Sequence, residues 1–241
     1  MKKYELTTET KSWCGRTLFR IRAIASFGIV VEGELGGYVE SEKNLSQEGS
    51  AWVYGAAQVY GEAWVYGEAW VYGEARVYGE ARVSGEARVY GAAQVSGEAW
   101  VYGEARVYGD AWVSGEARVS GEARVSGAAW VYDEARVYGE ARVSGAAWVY
   151  GAAQVYGEAQ VSGETDYISI SPIGSEGGIF TAFRTETGIE CSRGCFRGTL
   201  DEFEEAVKQT HGYNRYAQEY AHAIALVRLR LGVEKSAPVG Q

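Results

Sequence analysis

The residue types that most often perform chemistry lie in the last third of the chain. Cys191, Cys195, His211 and His222 include the side chains that bind zinc. A Cys-x3-Cys pair followed by two distant histidines does not have the spacing of a zinc finger, so we assign no metal site. Cys195 and His211 are also the residue types of a nucleophile and its base, but a predicted helix of about twelve residues would hold them about 18 Å apart. We therefore predict small buried cysteines and assign no catalytic residue and no cofactor.

Aromatic and arginine side chains recur in the middle of the chain, and the repeat that spaces them indicates the fold. Residues 51–164 divide into nineteen hexads that read Ala, then Trp, Arg or Gln, then Val, then Tyr or Ser, then Gly, then Glu or Ala. Ala and Val are invariant at positions one and three, whereas position two varies. Alternation with period two places Ala and Val on the buried side of a short strand. The glycine that follows supplies the positive φ of a corner, and Asp133 replaces it once.

A unit of six residues cannot bury its own apolar side, so successive hexads must stack as a coil. The hexad resembles the hexapeptide pattern of left-handed parallel β-helices, in which residues such as Val53 and Ala57 point inward. This resemblance implies an all-β solenoid, a left-handed parallel β-helix with three hexads per coil. Nineteen hexads would then form a little over six coils, with a length of about 30 Å.

Stacking with a period of eighteen residues aligns the outward side chains in columns on three faces. The first face carries Trp52, Trp70, Arg88, Arg106, Arg124 and Arg142 beside Tyr54, Tyr72, Tyr90 and Tyr108. The second face carries Trp112, Trp130 and Trp148, flanked by Tyr132 and Tyr150. The third face carries Trp64, Arg82, Trp100 and Arg118, where we expect indole and guanidinium groups to alternate in cation–π contacts.

These columns have two interpretations. Stacked neighbours stabilise a sheet, but exposed Trp, Tyr and Arg are also typical of the centres of binding surfaces. The candidate partner-binding residues are Trp112, Trp130, Trp148, Tyr132, Tyr150, Trp64 and Trp100.

Charge limits the class of partner. The net charge is −9, and the hexads contribute most of it, with eight Arg against fifteen acidic residues. The acids form columns at two corners, one from Glu62 to Glu134 and one from Glu68 to Glu158. Carboxylates on an open corner lack the enclosed oxygen cage that calcium prefers. We expect no direct binding to a nucleic-acid backbone.

Residues 1–50 contain no hexads and are predicted to form an N-terminal β cap. The alternation in "TLFRIRAI", residues 17–24, predicts a strand that pairs with "KYEL" through a turn near Gly15. We find neither a cleavable signal nor an apolar run of membrane length, and three cysteines suit a reducing compartment, so we expect a cytoplasmic protein with no membrane association. "YELT", "LFRIRAI" and "LGGYVESEKNLSQEGSAWVYGAA" are similar to the opening of the YdcK-like hexapeptide-repeat proteins. That resemblance implies a segment that seals one end of the solenoid, and it implies no activity.

The repeat ends at Glu164, and residues 165–232 are predicted to form a small α+β domain, followed by a flexible tail at 233–241. "DYISISPIG" and "GIFTAFRTETGIECS" predict two or three strands joined by glycine-rich turns. "GCFRGTLDEF" resembles part of a short terminal domain of bacteriophage and prophage proteins of unknown role.

Two helices are predicted to complete this domain. Thr199 and Glu202 have the spacing of a capping box, which predicts a helix that ends at Gly212. A second helix is predicted from Asn214, and one of its faces carries Tyr216, Tyr220, Ile224 and Val227.

Function hypotheses of different classes follow from this organisation. A left-handed β-helix resembles the coenzyme A-dependent acyltransferases, which use a histidine general base, but the hexads contain no histidine. We therefore predict a non-enzymatic repeat scaffold that presents its Trp, Tyr, Arg and Glu columns to a protein or glycan partner. The resemblance of the C-terminal domain implies a phage or prophage origin. A purely structural spacer is the alternative, and a homo-oligomer stays open.

Overall fold

The computed structural model of the protein describes residues 2–163 and 165–232. Over these residues it is a parallel β-solenoid followed by a small α+β region, as the sequence predicts. The predicted flexible tail, 233–241, lies outside the described residues. No helix in the described ranges is long and apolar enough to cross a membrane.

The chain begins with three longer strands and continues with nineteen two-residue strands, one for each hexad. Strand β1 spans Tyr4–Trp13, β2 spans Arg16–Ala23 and β3 spans Leu35–Val39. Strands β4 to β22 each consist of positions two and three of a hexad and lie on three faces. The first face contains Trp52–Val53, Trp70–Val71, Arg88–Val89, Arg106–Val107, Arg124–Val125, Arg142–Val143 and Gln160–Val161. The second face contains Gln58–Val59, Arg76–Val77, Gln94–Val95, Trp112–Val113, Trp130–Val131 and Trp148–Val149. The third face contains Trp64–Val65, Arg82–Val83, Trp100–Val101, Arg118–Val119, Arg136–Val137 and Gln154–Val155.

Each strand pairs in parallel with the strands eighteen residues before and after it, so three hexads form one coil. Val95, for example, is in register with Val77 and Val113. Every alanine at position one and every valine at position three is at most 1 % exposed, which confirms the predicted inward positions. The core of the solenoid is therefore a continuous column of methyl and isopropyl groups.

An additional coil precedes the hexads. Val39 of β3 is in register with Val59, and Leu45 forms a parallel bridge with Val65. With these two positions, the solenoid has seven layers on each face. Nineteen hexads alone would form only six complete coils.

The corners confirm the predicted role of glycine, with one exception. The corner glycines from Gly55 to Gly157 have positive φ, and Asp133 has φ 57° in the same role. Gly163, in the last hexad, does not have positive φ, because the chain leaves the coil there and makes no further corner.

The antiparallel β1–β2 hairpin closes the N-terminal end of the solenoid, and its turn contains Gly15, as predicted. Trp52 is fully buried there between the rings of Tyr4, Phe27 and Tyr54. The Nζ of Lys3 donates to the carbonyl oxygen of Ala51 at 2.9 Å and lies 4.8 Å from the centre of the Phe27 ring. Burial lowers the pKa of Lys3 to about 8.

The C-terminal region is a four-stranded antiparallel sheet with two helices. Its strands are β23 (Tyr167–Ile173), β24 (Gly178–Arg184), β25 (Ile189–Arg193) and β26 (Phe196–Thr199), in that order across the sheet. Helix α1 spans Leu200–His211 and α2 spans Arg215–Leu231. Sequence analysis predicts both helices but not β26 as a separate fourth strand.

The predicted helix caps are present. Glu202 N donates to Thr199 Oγ1 at 3.2 Å, and Thr199 N donates to Glu202 Oε2 at 2.8 Å, which is the capping box at the start of α1. Asn214 caps α2 through its side-chain oxygen, and Tyr220, Ile224 and Val227 are buried. Tyr216, the fourth residue of the predicted apolar face, is only half-buried.

The sheet of this region covers the C-terminal end of the solenoid. Phe183 packs edge-on against Tyr156 with ring centres 5.0 Å apart, and the Tyr156 hydroxyl donates to the carbonyl oxygen of Cys191 at 2.8 Å. Arg197 donates through Nε to the Tyr138 hydroxyl at 2.9 Å and through a terminal nitrogen to Gln154 Oε1 at 3.2 Å. These contacts hold the C-terminal region against the last coil.

Candidate functional site

The second face carries the largest aromatic stack of the described residues. Trp112, Trp130 and Trp148, here called the tryptophan column, occupy successive layers. The ring centres of Trp112 and Trp130 are 5.0 Å apart with an interplanar angle of 6°, and those of Trp130 and Trp148 are 5.5 Å apart with an angle of 17°. The parallel register of the sheet sets this spacing, since adjacent strands lie about 4.8 Å apart.

Stacking determines which parts of the tryptophan column a partner can reach. Trp130 has one neighbouring indole on each face, so its exposed fraction, 39 %, consists mainly of ring edge. Trp148 ends the column, and its exposed fraction, 42 %, is close to that of Trp130. The column therefore offers a row of indole edges along its side, with Trp148 as its last ring.

A second, shorter stack runs beside the tryptophan column. Tyr132 and Tyr150 stack with ring centres 5.5 Å apart and an interplanar angle of 14°, and Tyr150 is 52 % exposed. Burial raises the pKa of Tyr132, with smaller contributions from the charges of Asp133 and Tyr150. Asp133 links the same two coils, because its Oδ2 accepts a hydrogen bond from the amide of Gly151 at 3.2 Å.

Both stacks end at a cleft of about 850 Å³ between the second face and the C-terminal region. We call this space the cleft. Its lining includes Trp148, Tyr150, Thr165, Ser169, Ser171, Ile179 and Arg230, with further residues of the last coils and of the C-terminal region. Among its described lining residues, Arg230 is the single charged side chain. The volume lies within the usual range for small-molecule sites.

Sequence reasoning finds the two stacks but misses the cleft and Arg230. The stacks follow from the period of eighteen residues, which is visible in the sequence. The cleft forms because β23, β24 and α2 pack beside the last coil, and no periodic signal specifies that arrangement.

The third face differs from the predicted alternation of indole and guanidinium. Trp64 stacks on Tyr66, two residues further along the chain, with ring centres 4.0 Å apart, and Trp100 packs on Tyr102 at 4.5 Å. In the described part of this face, no guanidinium lies over either indole, so the predicted cation–π contacts are wrong here. The reason is that the tyrosine of the same hexad is a closer partner than the arginine in the next coil. The structure thus keeps Trp64 and Trp100 two layers apart, each in its own pair.

The first face shows ring stacking and a cation–π contact. Tyr72, Tyr90 and Tyr108 stack at 4.7 and 4.9 Å, and the Arg88 guanidinium lies 5.2 Å from the Trp70 ring centre. Tyr54 does not continue the tyrosine stack, because it packs edge-on against Trp70.

The cysteines differ in exposure, and His211 contacts an aromatic ring. Cys191 is buried as predicted, but the prediction that Cys195 is buried is wrong, because Cys195 is exposed in the turn between β25 and β26. This turn is separated from α1 by all of β26, so Cys195 does not lie near the start of that helix. His211 stacks on Tyr220 with ring centres 5.6 Å apart. No group of three or more potential metal ligands occurs within residues 2–163 and 165–232.

Comparisons with known proteins identify the repeat. The family model of the YdcK beta solenoid repeat matches residues 75–91, 81–97, 99–115, 117–133 and 135–151. The hexads are therefore similar to the YdcK repeat, as their pattern predicts, and all matched segments lie within the solenoid. No curated protein matches the chain.

Proposed function

We propose that this YdcK-like repeat chain is a non-catalytic scaffold that presents the second face to a macromolecular partner, a protein or a glycan. The observation that carries the proposal is the exposure of the tryptophan column, in which Trp130 and Trp148 are 39 % and 42 % exposed. Large aromatic areas left in water are typical of interaction sites, and Trp is among the residues most enriched at interface centres.

The solenoid holds the tryptophan column in a fixed arrangement. The amides of Trp112 and Trp130 donate to the carbonyl oxygens of Ala129 and Ala147 in the next coil, each at 2.9 Å. Ring stacking further restricts the side chains. A partner that binds these rings therefore orders little that is not already ordered, which favours affinity.

The charge distribution around the second face also supports this surface. The corner that precedes the three tryptophans carries Asp110, Ala128 and Ala146, whereas the other two corners carry columns of glutamate. A partner that covers this corner at Ala128 and Ala146 would bury no carboxylate of these two residues. This favours binding, because burial of an unpaired carboxylate is costly.

Two other functions remain as alternatives. A pure spacer requires only the rigid coil, and the aromatic columns would then serve stability alone. An acyltransferase-like activity would require a general base, but the hexads contain no histidine and follow one another every six residues without an inserted loop. A phage or prophage origin and a cytoplasmic location are part of the proposal. The first rests on the resemblance of the C-terminal region, and the second is supported by the three free cysteines.

The tryptophan column is tested by replacing its central ring. Wild-type protein and the Trp130→Ser variant are immobilised, and each is used for capture from a bacterial lysate and for binding to a glycan array. Arg124→Ser, an outward substitution on the first face, is the matched control. We expect Trp130→Ser to weaken a specific complex by about 2 kcal/mol, with a nearly unchanged melting temperature, while Arg124→Ser retains the partner. If Trp130→Ser lowers the melting temperature and every partner is still captured, the tryptophan column is structural.

A further inference from the structure

The cleft at the end of the tryptophan column has the composition of a ligand site, and we propose that it binds the end of an acidic glycan, a short chain of uronate residues. This inference rests on the proposed function, because it names the ligand at one end of the same surface. Three features of the cleft carry it: two aromatic rings that end their stacks, one guanidinium without a partner among the described residues, and several exposed hydroxyls.

The ring surfaces are those of Trp148 and Tyr150. Each is the last ring of its stack and lines the cleft. The two residues point to the same side of extended chain two positions apart, so their side chains start about 7 Å apart, a distance comparable with the length of one pyranose ring. The axial C–H groups on one face of a pyranose form an apolar surface that packs on an aromatic face. The two rings therefore provide adjacent platforms for two linked sugars.

Arg230 supplies the charge. Its side chain is exposed at the last turn of α2, and among the described residues it has no ion pair or hydrogen bond to another side chain. Arg228, two residues earlier on the same helix, is by contrast paired with Asp201 and Glu204. The described lining of the cleft contains this guanidinium and no acid, and the nearby carboxylate of Asp133 accepts a hydrogen bond from the amide of Gly151. A guanidinium pairs with a carboxylate through two parallel N–H···O hydrogen bonds, which favours a uronate over a neutral sugar.

The hydroxyl groups favour a sugar over a nucleotide. Thr165, Ser169 and Ser171 are exposed in the lining of the cleft and can both donate to and accept from the hydroxyl groups of a pyranose. A nucleotide would also stack on Trp148 and place a phosphate near Arg230. The base of a nucleotide is flat and has few hydroxyl groups to bind these side chains. The experiment below distinguishes nucleotide binding from uronate binding.

The experiment measures binding of uronate trisaccharides by isothermal titration calorimetry at low ionic strength. Galacturonate, mannuronate and glucuronate trisaccharides are titrated into the full chain, with a methyl-esterified trisaccharide as the neutral analogue and adenosine monophosphate as the competing ligand class. We expect at least one uronate to bind saturably and its methyl ester to bind about tenfold more weakly. Raising the salt concentration should reduce this difference, because exposed charges are screened.

Variants assign the binding to the cleft. Trp148→Ala and Arg230→Gln should each weaken uronate binding about tenfold or more. Trp70→Ala and Arg124→Gln, both on the first face, are the matched controls and should change the affinity less than about twofold. In Arg230→Gln, the uronate and its methyl ester should bind equally. The melting temperature of each variant shows whether the fold is retained.

Three results would overturn the inference. They are no saturable binding of any uronate, equal effects of each variant and its control, or tighter binding of the nucleotide than of every uronate. The proposed function is tested separately. If capture of a partner depends on Trp130 but no uronate binds, the proposed function holds and only the inference about the cleft is wrong.

Discussion

At the scale of single residues, the corners of the solenoid show how closely the coils approach one another. A Cβ built on Gly97 would lie 2.9 Å from both the amide nitrogen and the carbonyl oxygen of Gly115 in the next coil, and φ of Gly97 is 67°. At Gly163, φ is outside the left-handed region, and the nearest atom to such a Cβ is 4.0 Å away. Asp133 is accommodated because Asp adopts positive φ more readily than most residues and its side chain bonds to Gly151.

These two glycines form a matched pair for mutation. We expect Gly97→Ala to reduce the free energy of unfolding by about 1–3 kcal/mol, because alanine adds both an unfavourable φ and a close contact with backbone. Gly163→Ala should change it by less than about 0.5 kcal/mol. Urea denaturation of both variants measures the difference. Equal destabilisation would contradict the assignment of Gly163 as the point where the coil ends.

The three cysteines differ in exposure, and their reactivity should follow. Burial raises the pKa of the Cys191 thiol to about 12, with smaller contributions from the carboxylates of Glu190 and Glu202, whereas Cys14 and Cys195 are exposed. At pH 8 we expect two thiols to react rapidly with a disulfide reagent and the third to react only after unfolding. Cys195→Ser should reduce the rapid reaction to one thiol. Rapid modification of all three thiols in the folded protein would contradict the burial of Cys191.

At the scale of elements, each hexad contributes a two-residue strand that is stable only because its valine is enclosed by the neighbouring coils. Val101 is fully buried and in register with Val83 and Val119. Arg118, in the next layer of the same face, points outward and is exposed. Inward and outward positions of one face can therefore be compared with the same substitution.

Val101→Asp should unfold the solenoid cooperatively, or reduce the free energy of unfolding by about 4 kcal/mol or more, because an unpaired carboxylate would be buried among alanine and valine side chains. Arg118→Asp introduces the same residue outside the core and should cost less than about 1 kcal/mol. Circular dichroism during thermal unfolding tests both variants. A Val101→Asp protein that melts like the wild type would contradict the inward assignment.

Positions that repeat could be predicted from the sequence, and positions fixed by non-repeating contacts could not. Val, Ala, the corner glycines and the second-face stacks follow from the period of six within eighteen residues. The hexad pattern does not predict the additional coil that precedes the hexads, because Val39 and Leu45 lie in no hexad. Their register depends on pairing with Val59 and Val65. The cleft depends on how the C-terminal sheet packs beside the last coil, and the exposure of Cys195 depends on the turn between β25 and β26. The sequence of this region has no repeat from which either feature could be predicted. The hand of the coil stays a prediction from the resemblance.

At the scale of the whole molecule, near-identical coils are closed at both ends by non-repeating segments. The first coil is two residues longer than the others, since Val39 pairs with Val59 and Leu45 with Val65 at a spacing of twenty residues. The side chain of Lys3 accommodates this longer coil by binding the carbonyl oxygens of Glu48, Gly49 and Ala51. The central coils have no such support, so they should tolerate a change in number but not a change in length.

Deletions of almost equal size separate number from length. Removal of residues 75–92 takes out one coil of eighteen residues and joins Glu74 to Ala93, which leaves every remaining hexad complete. Because each coil contacts mainly its neighbours, the shortened protein should fold and lose only the contribution of one layer. Removal of residues 75–94 leaves the four residues Val95–Glu98 where a side of six is required, so Gly97 would occupy an inward position and the corner would come two residues early. We expect this second deletion to lower the melting temperature strongly or to prevent folding. Circular dichroism and size-exclusion chromatography compare the two proteins, and equal behaviour of both would contradict a solenoid built from three hexads per coil.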